Sequence, residues 1–114
     1  MIDIDKVLDA AKEKDASDVH LICNLKPMLR IRRDLIEYDC PSPLTEDDMY
    51  DIYDYFVRGN VDKDRVFKET KKLDSSFEFE DIRLRVNISL ANDIPLFTLR
   101  LIKNELPKYE DLGV

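Results

Sequence analysis

The chain has 114 residues, with 25 Asp and Glu against 18 Lys and Arg, so its formal net charge is −7 and 38% of its positions are charged. One domain with one core fits that length and a multi-domain enzyme does not; diffuse binding to nucleic acid or an anionic membrane surface would work against the overall field. No apolar segment approaches the ~20 residues of a membrane span, and the Met1-Ile2-Asp3 start lacks a signal-peptide pattern, so the cytoplasm is the expected compartment.

Asp3 is placed to cap a helix in which Ile4, Val7, Leu8 and Ala11 share one face, ending near Asp15. Ser17 and Asp18 make the turn into a strand, Val19 to Asn24, with Val19, Leu21 and Cys23 on one side. Leu25-Lys26-Pro27 reads as a loop. Met28 to Arg32 and Leu35 to Asp39 read as two short strands joined through Arg33-Asp34, a hairpin. Cys23 and Cys40 are too few and too far apart for a disulfide framework or a metal pattern, and are expected to be small buried residues.

Pro41 and Pro43 break the pattern before the clearest helix start in the chain. Thr45 is the expected cap, Asp48 the reciprocal acid three residues on, and Leu44 with Met49 the hydrophobic staple. Met49, Ile52, Tyr53 and Phe56 form the apolar stripe of a helix running to about Arg58, where Gly59 supplies a left-handed stop. A second helix, Asp62 to about Thr70, is expected to bury Val66 and Phe67. A strand from Leu73 to Glu80 follows, with Phe77 and Phe79 on one face.

From Asp81 to Leu90 the alternation is strict: Ile82, Leu84, Val86, Ile88 and Leu90 point one way, Arg83, Arg85, Asn87 and Ser89 the other. If Asn92 and Asp93 are the central residues of a tight turn, the returning strand to Ile102 sets Ile88 against Phe97, Val86 against Leu99 and Leu84 against Leu101. The same register sets Asn87 against Thr98 and Arg85 against Arg100, with Arg83 further along that face. The stretch 104–114 has no clear period and reads as a linker. Helix, three strands, two helices and three strands make an α+β domain with a mainly antiparallel sheet of about six strands.

Two glycines, Gly59 and Gly113, cannot build a phosphate-cradling loop. Glu46, Asp47 and Asp48 are successive positions of a first helical turn, where the helix dipole favours acids, and do not converge on a metal. Asp18 and His20 are an acid and a base on one strand face, without a nucleophile at recognisable spacing. The arginine face is the feature that asks for a partner. Like charges directly opposed cost free energy unless carboxylates, solvent or an anion relieve them, and arginine binds phosphate with a two-pronged fork.

Seven segments in order, Ala16-Ser17-Asp18-Val19-His20-Leu21, Pro27-Met28-Leu29-Arg30-Ile31, Pro43-Leu44-Thr45, Asp74-Ser75-Ser76-Phe77, Arg83-Leu84-Arg85-Val86-Asn87, Phe97-Thr98-Leu99-Arg100-Leu101-Ile102 and Leu112-Gly113, carry a resemblance. Together they are similar to the amino-terminal domain of the type IV pilus retraction ATPases, within the larger secretion ATPase family. The resemblance implies a PAS-like domain over 1–103, then a linker over 104–114 towards an ATPase domain that this chain lacks, the whole forming a cytoplasmic homo-hexamer. It implies ATP and Mg in the full-length protein and none in the isolated fragment. It names as partners the protein's own ATPase domain, neighbouring subunits and the pilus inner-membrane platform, with no nucleic acid. By the same resemblance, Arg85 and Arg100, with Arg83, are offered to the ATP phosphates. The chain departs from the family pattern with Asp15 where glycine is usual, with Arg33-Asp34 where Asp-Gly is frequent, and with two residues between Phe97 and Arg100. Retraction, extension and secretion members are therefore not separated. The expected function is a nucleotide-closing, non-hydrolytic domain of a motor for pilus retraction and twitching motility. The alternative is a free-standing PAS-like module that senses a ligand or binds a protein.

Overall fold

A computed structural model describes residues 3–57 and 59–103. The elements are α1 (Ile4–Glu13), β1 (Asp18–Leu21), β2 (Met28–Ile31), β3 (Asp34–Glu37), α2 (Glu46–Val57), α3 (Val61–Thr70), β4 (Lys72–Phe79), β5 (Ile82–Ala91) and β6 (Ile94–Lys103). The strands form one sheet in the order β3-β2-β1-β6-β5-β4, every neighbouring pair antiparallel. This is the expected α+β architecture. The stretch 104–114, expected as a linker, lies outside the described residues.

Alternation decides which face of the sheet is buried. Val19, Leu21, Leu29, Leu73, Phe79, Leu84, Val86, Ile88, Phe97 and Leu99 lie on one side and share a core with Ile4, Val7, Leu8 and Ala11 of α1 and with Met49, Ile52 and Phe56 of α2. Rings of Tyr55, Phe56 and Phe77 meet pairwise near 5 Å, and Phe56 reaches Phe97 at 6.0 Å. The helices therefore cover one face only, among the described residues. Among the described residues, the opposite face carries Arg83, Arg85, Asn87 and Arg100 exposed, and Asp18, His20, Arg30 and Thr98 half-buried.

The local signals act as expected at several points. The Asp3 carboxylate accepts from the N–H groups of Asp5 and Lys6 at the start of α1. At α2 the Thr45 N–H donates to Asp48 Oδ2 at 2.8 Å and the Asp48 N–H donates to Thr45 Oγ1 at 3.1 Å, a closed capping box. Gly59 has φ +75° just past α2, and Asn92 and Asp93 have φ 53° and 64° at the β5–β6 turn.

Four expectations need correction. β1 ends at Leu21, because the N–H of Asn24 turns to the carbonyl of Leu44 at 2.8 Å rather than continuing the ladder. The β2–β3 turn is Arg32-Arg33, one residue earlier than expected, since Ile31 pairs with Asp34 and Arg32 adopts φ 63°. Val66 is 40% exposed while Phe67 is 6% exposed: α3 lays a single large side chain into the core. Cys23 and Cys40 are half-buried, Cys23 against the core edge and Cys40 with its Sγ 3.3 Å from the carbonyl of Ser42.

Candidate functional site

The uncovered sheet face is built by register. β5 and β6 pair so that Arg85 is directly opposite Arg100, Asn87 opposite Thr98 and Arg83 opposite Ile102. β1 lies on the other side of β6 and sets Asp18 against Arg100, while β2 sets Arg30 against Asp18. One row across the sheet thus reads Arg30, Asp18, Arg100, Arg85, with Ser76 of β4 beyond. His20, Thr98 and Asn87 form the adjacent row.

The charges of this row are unevenly matched. Asp18 approaches Arg100 Nε through Oδ1 at 3.6 Å and Arg30 Nε through Oδ2 at 3.7 Å, contacts longer than a hydrogen bond. Its side chain is 16% exposed, against 71% for Arg100. Arg83 meets Glu78 at 3.6 Å. Asp74 and Glu78 flank Ser76, the cross-strand neighbour of Arg85, but among the described residues Arg85 has no ion pair. A single carboxylate therefore stands among Arg30, Arg100 and Arg85. On a chain of net charge −7 the row presents fork-shaped donors, with the neutral hydrogen-bonding side chains Asn87 and Thr98 beside them and Asp74 and Glu78 at the flanking positions of β4, chemistry that can accept an anion.

Of the residues singled out in the sequence, Arg85 and Arg100 are brought together and Arg83 lies on the same face, engaged by Glu78. Asp18 and His20 share that face, yet Asp18 accepts from the Ser17 hydroxyl at 3.0 Å and faces two arginines, and no hydrogen bond joins it to His20 among the described residues. Sequence reasoning missed Arg30 and the place of Asp18 in the row. The polar phase of each strand was readable, but the insertion of β1 between β2 and β6 is a long-range pairing with no local signal.

A cavity of about 400 Å³ lies elsewhere, between α2 and α3, lined by residues including Tyr53, Val61, Asp64 and Lys68. Its polar groups already satisfy one another, Tyr53 donating to Asp64 at 2.7 Å and Lys68 pairing with Asp64 at 2.9 Å. No group of three or more His, Cys, Asp or Glu among the described residues is placed to hold a metal ion, and no described helix is long and apolar enough to cross a membrane.

No protein-family model matches the chain. Over 114 aligned residues, 99% of its length, it is 31% identical to the type IV pilus retractation ATPase PilT of Pseudomonas aeruginosa PAO1, of which it covers 32%. Among solved structures it is similar to the pilus retraction motor PilT with bound ADP, at TM-score 0.82 and 25% identity over 100% of this chain and 33% of that one. The ATPase DotB of Legionella pneumophila shares the fold at TM-score 0.74 and 21% identity, over 97% of this chain and 31% of that one. DotB of Yersinia pseudotuberculosis does so at TM-score 0.69 and 15% identity, over 97% and 32%. The chain thus spans about a third of the length of the relatives it matches.

Proposed function

From a chain homologous to the amino-terminal region of PilT, the amino-terminal domain of the secretion ATPase family, we infer the nucleotide-closing, regulatory domain of a PilT-like hexameric motor that powers type IV pilus retraction. The observation that carries this reading is the pairing of Arg85 with Arg100 on a sheet face that no described helix covers, with Arg85 in no ion pair among the described residues. In this reading the PAS-like domain, residues 1–103, folds over nucleotide held by an ATPase domain that follows residues 104–114. It works in the cytoplasm against neighbouring subunits and the pilus inner-membrane platform.

The chemistry follows from the side chains. Phosphoryl transfer relies on positioning and on fixed positive charge around the transferring group, and a guanidinium stays charged in any environment. Arg85 and Arg100 supply two forks from adjacent strands of one rigid sheet, and Arg83 adds to the field while partly screened by Glu78. Mg and the phosphate-cradling loop belong to the ATPase domain, which supplies the hydrolytic chemistry. This chain, with two glycines and no such loop, is expected to hydrolyse no ATP alone. Turnover by the purified chain that is abolished by a substitution within it would contradict that.

The decisive measurement is steady-state ATP turnover of the full-length protein. Arg85→Ala and Arg100→Ala are each expected to lower it at least about tenfold, ~1.4 kcal/mol of transition-state stabilisation. Arg85→Ala should leave the melting temperature of the 114-residue chain unchanged or slightly raised, since it removes a like-charge neighbour and breaks no ion pair, and Arg100→Ala, which also takes a charge from Asp18, should leave the chain folded with a melting temperature near wild type. Turnover near wild type in both variants would leave the row a solvated strand face. A reading frame beyond Val114 without a G-x-x-x-x-G-K-[ST] loop would favour the free-standing PAS-like module instead.

A further inference from the structure

Asp18 has no part in the phosphate-binding reading of this face. The backbone of the residue before it is pinned from both sides: the Ser17 N–H donates to the carbonyl of Arg30 at 2.8 Å, and the Leu101 N–H donates to the carbonyl of Ser17 at 2.9 Å. The Asp18 carboxylate is fixed in turn, Oδ2 accepting from Ser17 Oγ at 3.0 Å, and it is the most enclosed charge of the row. From that position it faces Arg100 at the Nε edge, 3.6 Å away. A guanidinium has two donor edges, and a carboxylate at Nε leaves the edge formed by the two terminal amines available.

We propose that Asp18 is a positioning residue for anion binding: held by Ser17 between β2 and β6, it fixes the Nε edge of Arg100 and so presents the terminal amines to a phosphate beside Arg85. The inference rests on the anion-site reading given above and deepens it. Arg100 is 71% exposed and, unrestrained, would have its side chain ordered only when the anion arrives, a cost that preorganisation removes. Asp18 also offsets part of the repulsion between Arg30, Arg100 and Arg85, so the row can stand without ligand. Simple charge counting gives the opposite sign. On that view a carboxylate beside two arginines opposes an incoming anion, and its removal strengthens binding.

The two accounts separate in a titration of the isotope-labelled 114-residue chain with pyrophosphate, followed on the arginine Nε–H resonances. In the wild type, the Arg100 Nε–H is expected to be ordered before ligand is added, and Arg85 and Arg100 to shift as it binds. Asp18→Asn keeps the shape and an acceptor for Ser17 but removes the charge; it should disorder the Arg100 Nε–H and weaken pyrophosphate binding by about threefold to tenfold. Ser17→Ala leaves every charge in place and loosens the carboxylate, so it should act in the same direction with smaller size. Binding by Asp18→Asn that equals or exceeds wild type overturns the positioning role and leaves the anion site standing. A wild-type chain in which Arg85 and Arg100 do not respond to pyrophosphate overturns both. If Asp18→Asn does not fold, unchanged affinity and unchanged Arg100 order in Ser17→Ala overturn the proposal.

Discussion

Tyr53 and Tyr55 sit two residues apart on α2, and each gives its hydroxyl hydrogen to an aspartate of another helix: Tyr53 to Asp64 of α3 at 2.7 Å, Tyr55 to Asp5 of α1. Burial first, and then these hydrogen bonds, push both phenols above the ordinary tyrosine range. Asp64 moves the other way, held below the usual carboxylate range by the Tyr53 hydroxyl and then by Lys68; Asp81 is likewise lowered by Lys12. A lowered carboxylate contributes stability above its unfolded value, about 4, and that contribution is lost as pH falls through the folded value. The melting temperature should therefore hold from neutral pH to about pH 5 and decline below it as these carboxylates are protonated. Tyr53→Phe removes the main cause of the Asp64 depression, so the variant should lose less stability over the acid range than the wild type. Melts of both proteins across that range test this; parallel acid declines would show that the Tyr53–Asp64 contact is absent in solution. The Asp64–Lys68 pair has the i,i+4 spacing of one helix and could be read from the sequence, whereas the Tyr53–Asp64, Tyr55–Asp5 and Lys12–Asp81 contacts could not, because each joins separate parts of the fold whose docking the core decides.

At the scale of elements, local chemistry predicted what local chemistry controls. The box at Thr45 and Asp48, the left-handed stop at Gly59 and the Asn92-Asp93 turn all form where their residues stand, and the turn alone carried the register that pairs Arg85 with Arg100. Thr45→Ala should cost roughly 1 kcal/mol of stability while the chemical shifts of Arg85 and Arg100 stay in place. An unchanged melt would mean that the box contributes nothing to α2. Errors fell where a neighbour decides. Arg32 takes φ 63°, a conformation not suggested by its residue type, because closing the β2–β3 ladder at Ile31 and Asp34 leaves two residues for the turn. Asp15 takes φ 61° just after α1, a left-handed backbone that glycine adopts at least cost, which gives a physical reason for the glycine that the resemblance implies at this position.

Across the whole molecule, the core is not shared evenly by the six strands. β5, β6 and β1 each send residues such as Leu84, Ile88, Phe97, Leu99, Val19 and Leu21 into it, whereas β3 is exposed at all four of its residues. Ile36 is on the same side of the sheet as the core, opposite Leu29, but remains 43% exposed. Opening β3 therefore uncovers little apolar surface, while opening β6 disrupts the strand between β1 and β5 and removes Phe97 from Phe56. Hydrogen exchange should accordingly show β3 amides exchanging through local opening and β1, β5 and β6 amides exchanging only with global unfolding. Phe97→Ala makes the distinction quantitative. Deleting this fully buried ring should lower protection in β1, β5 and β6 by about 3–5 kcal/mol, leaving β3 protection nearly unchanged until global unfolding becomes the easier route. Equal loss of protection in β3 would show that its opening is coupled to the core after all. Loss confined to β6 would show that the row Arg30, Asp18, Arg100, Arg85 does not stand on one cooperative sheet.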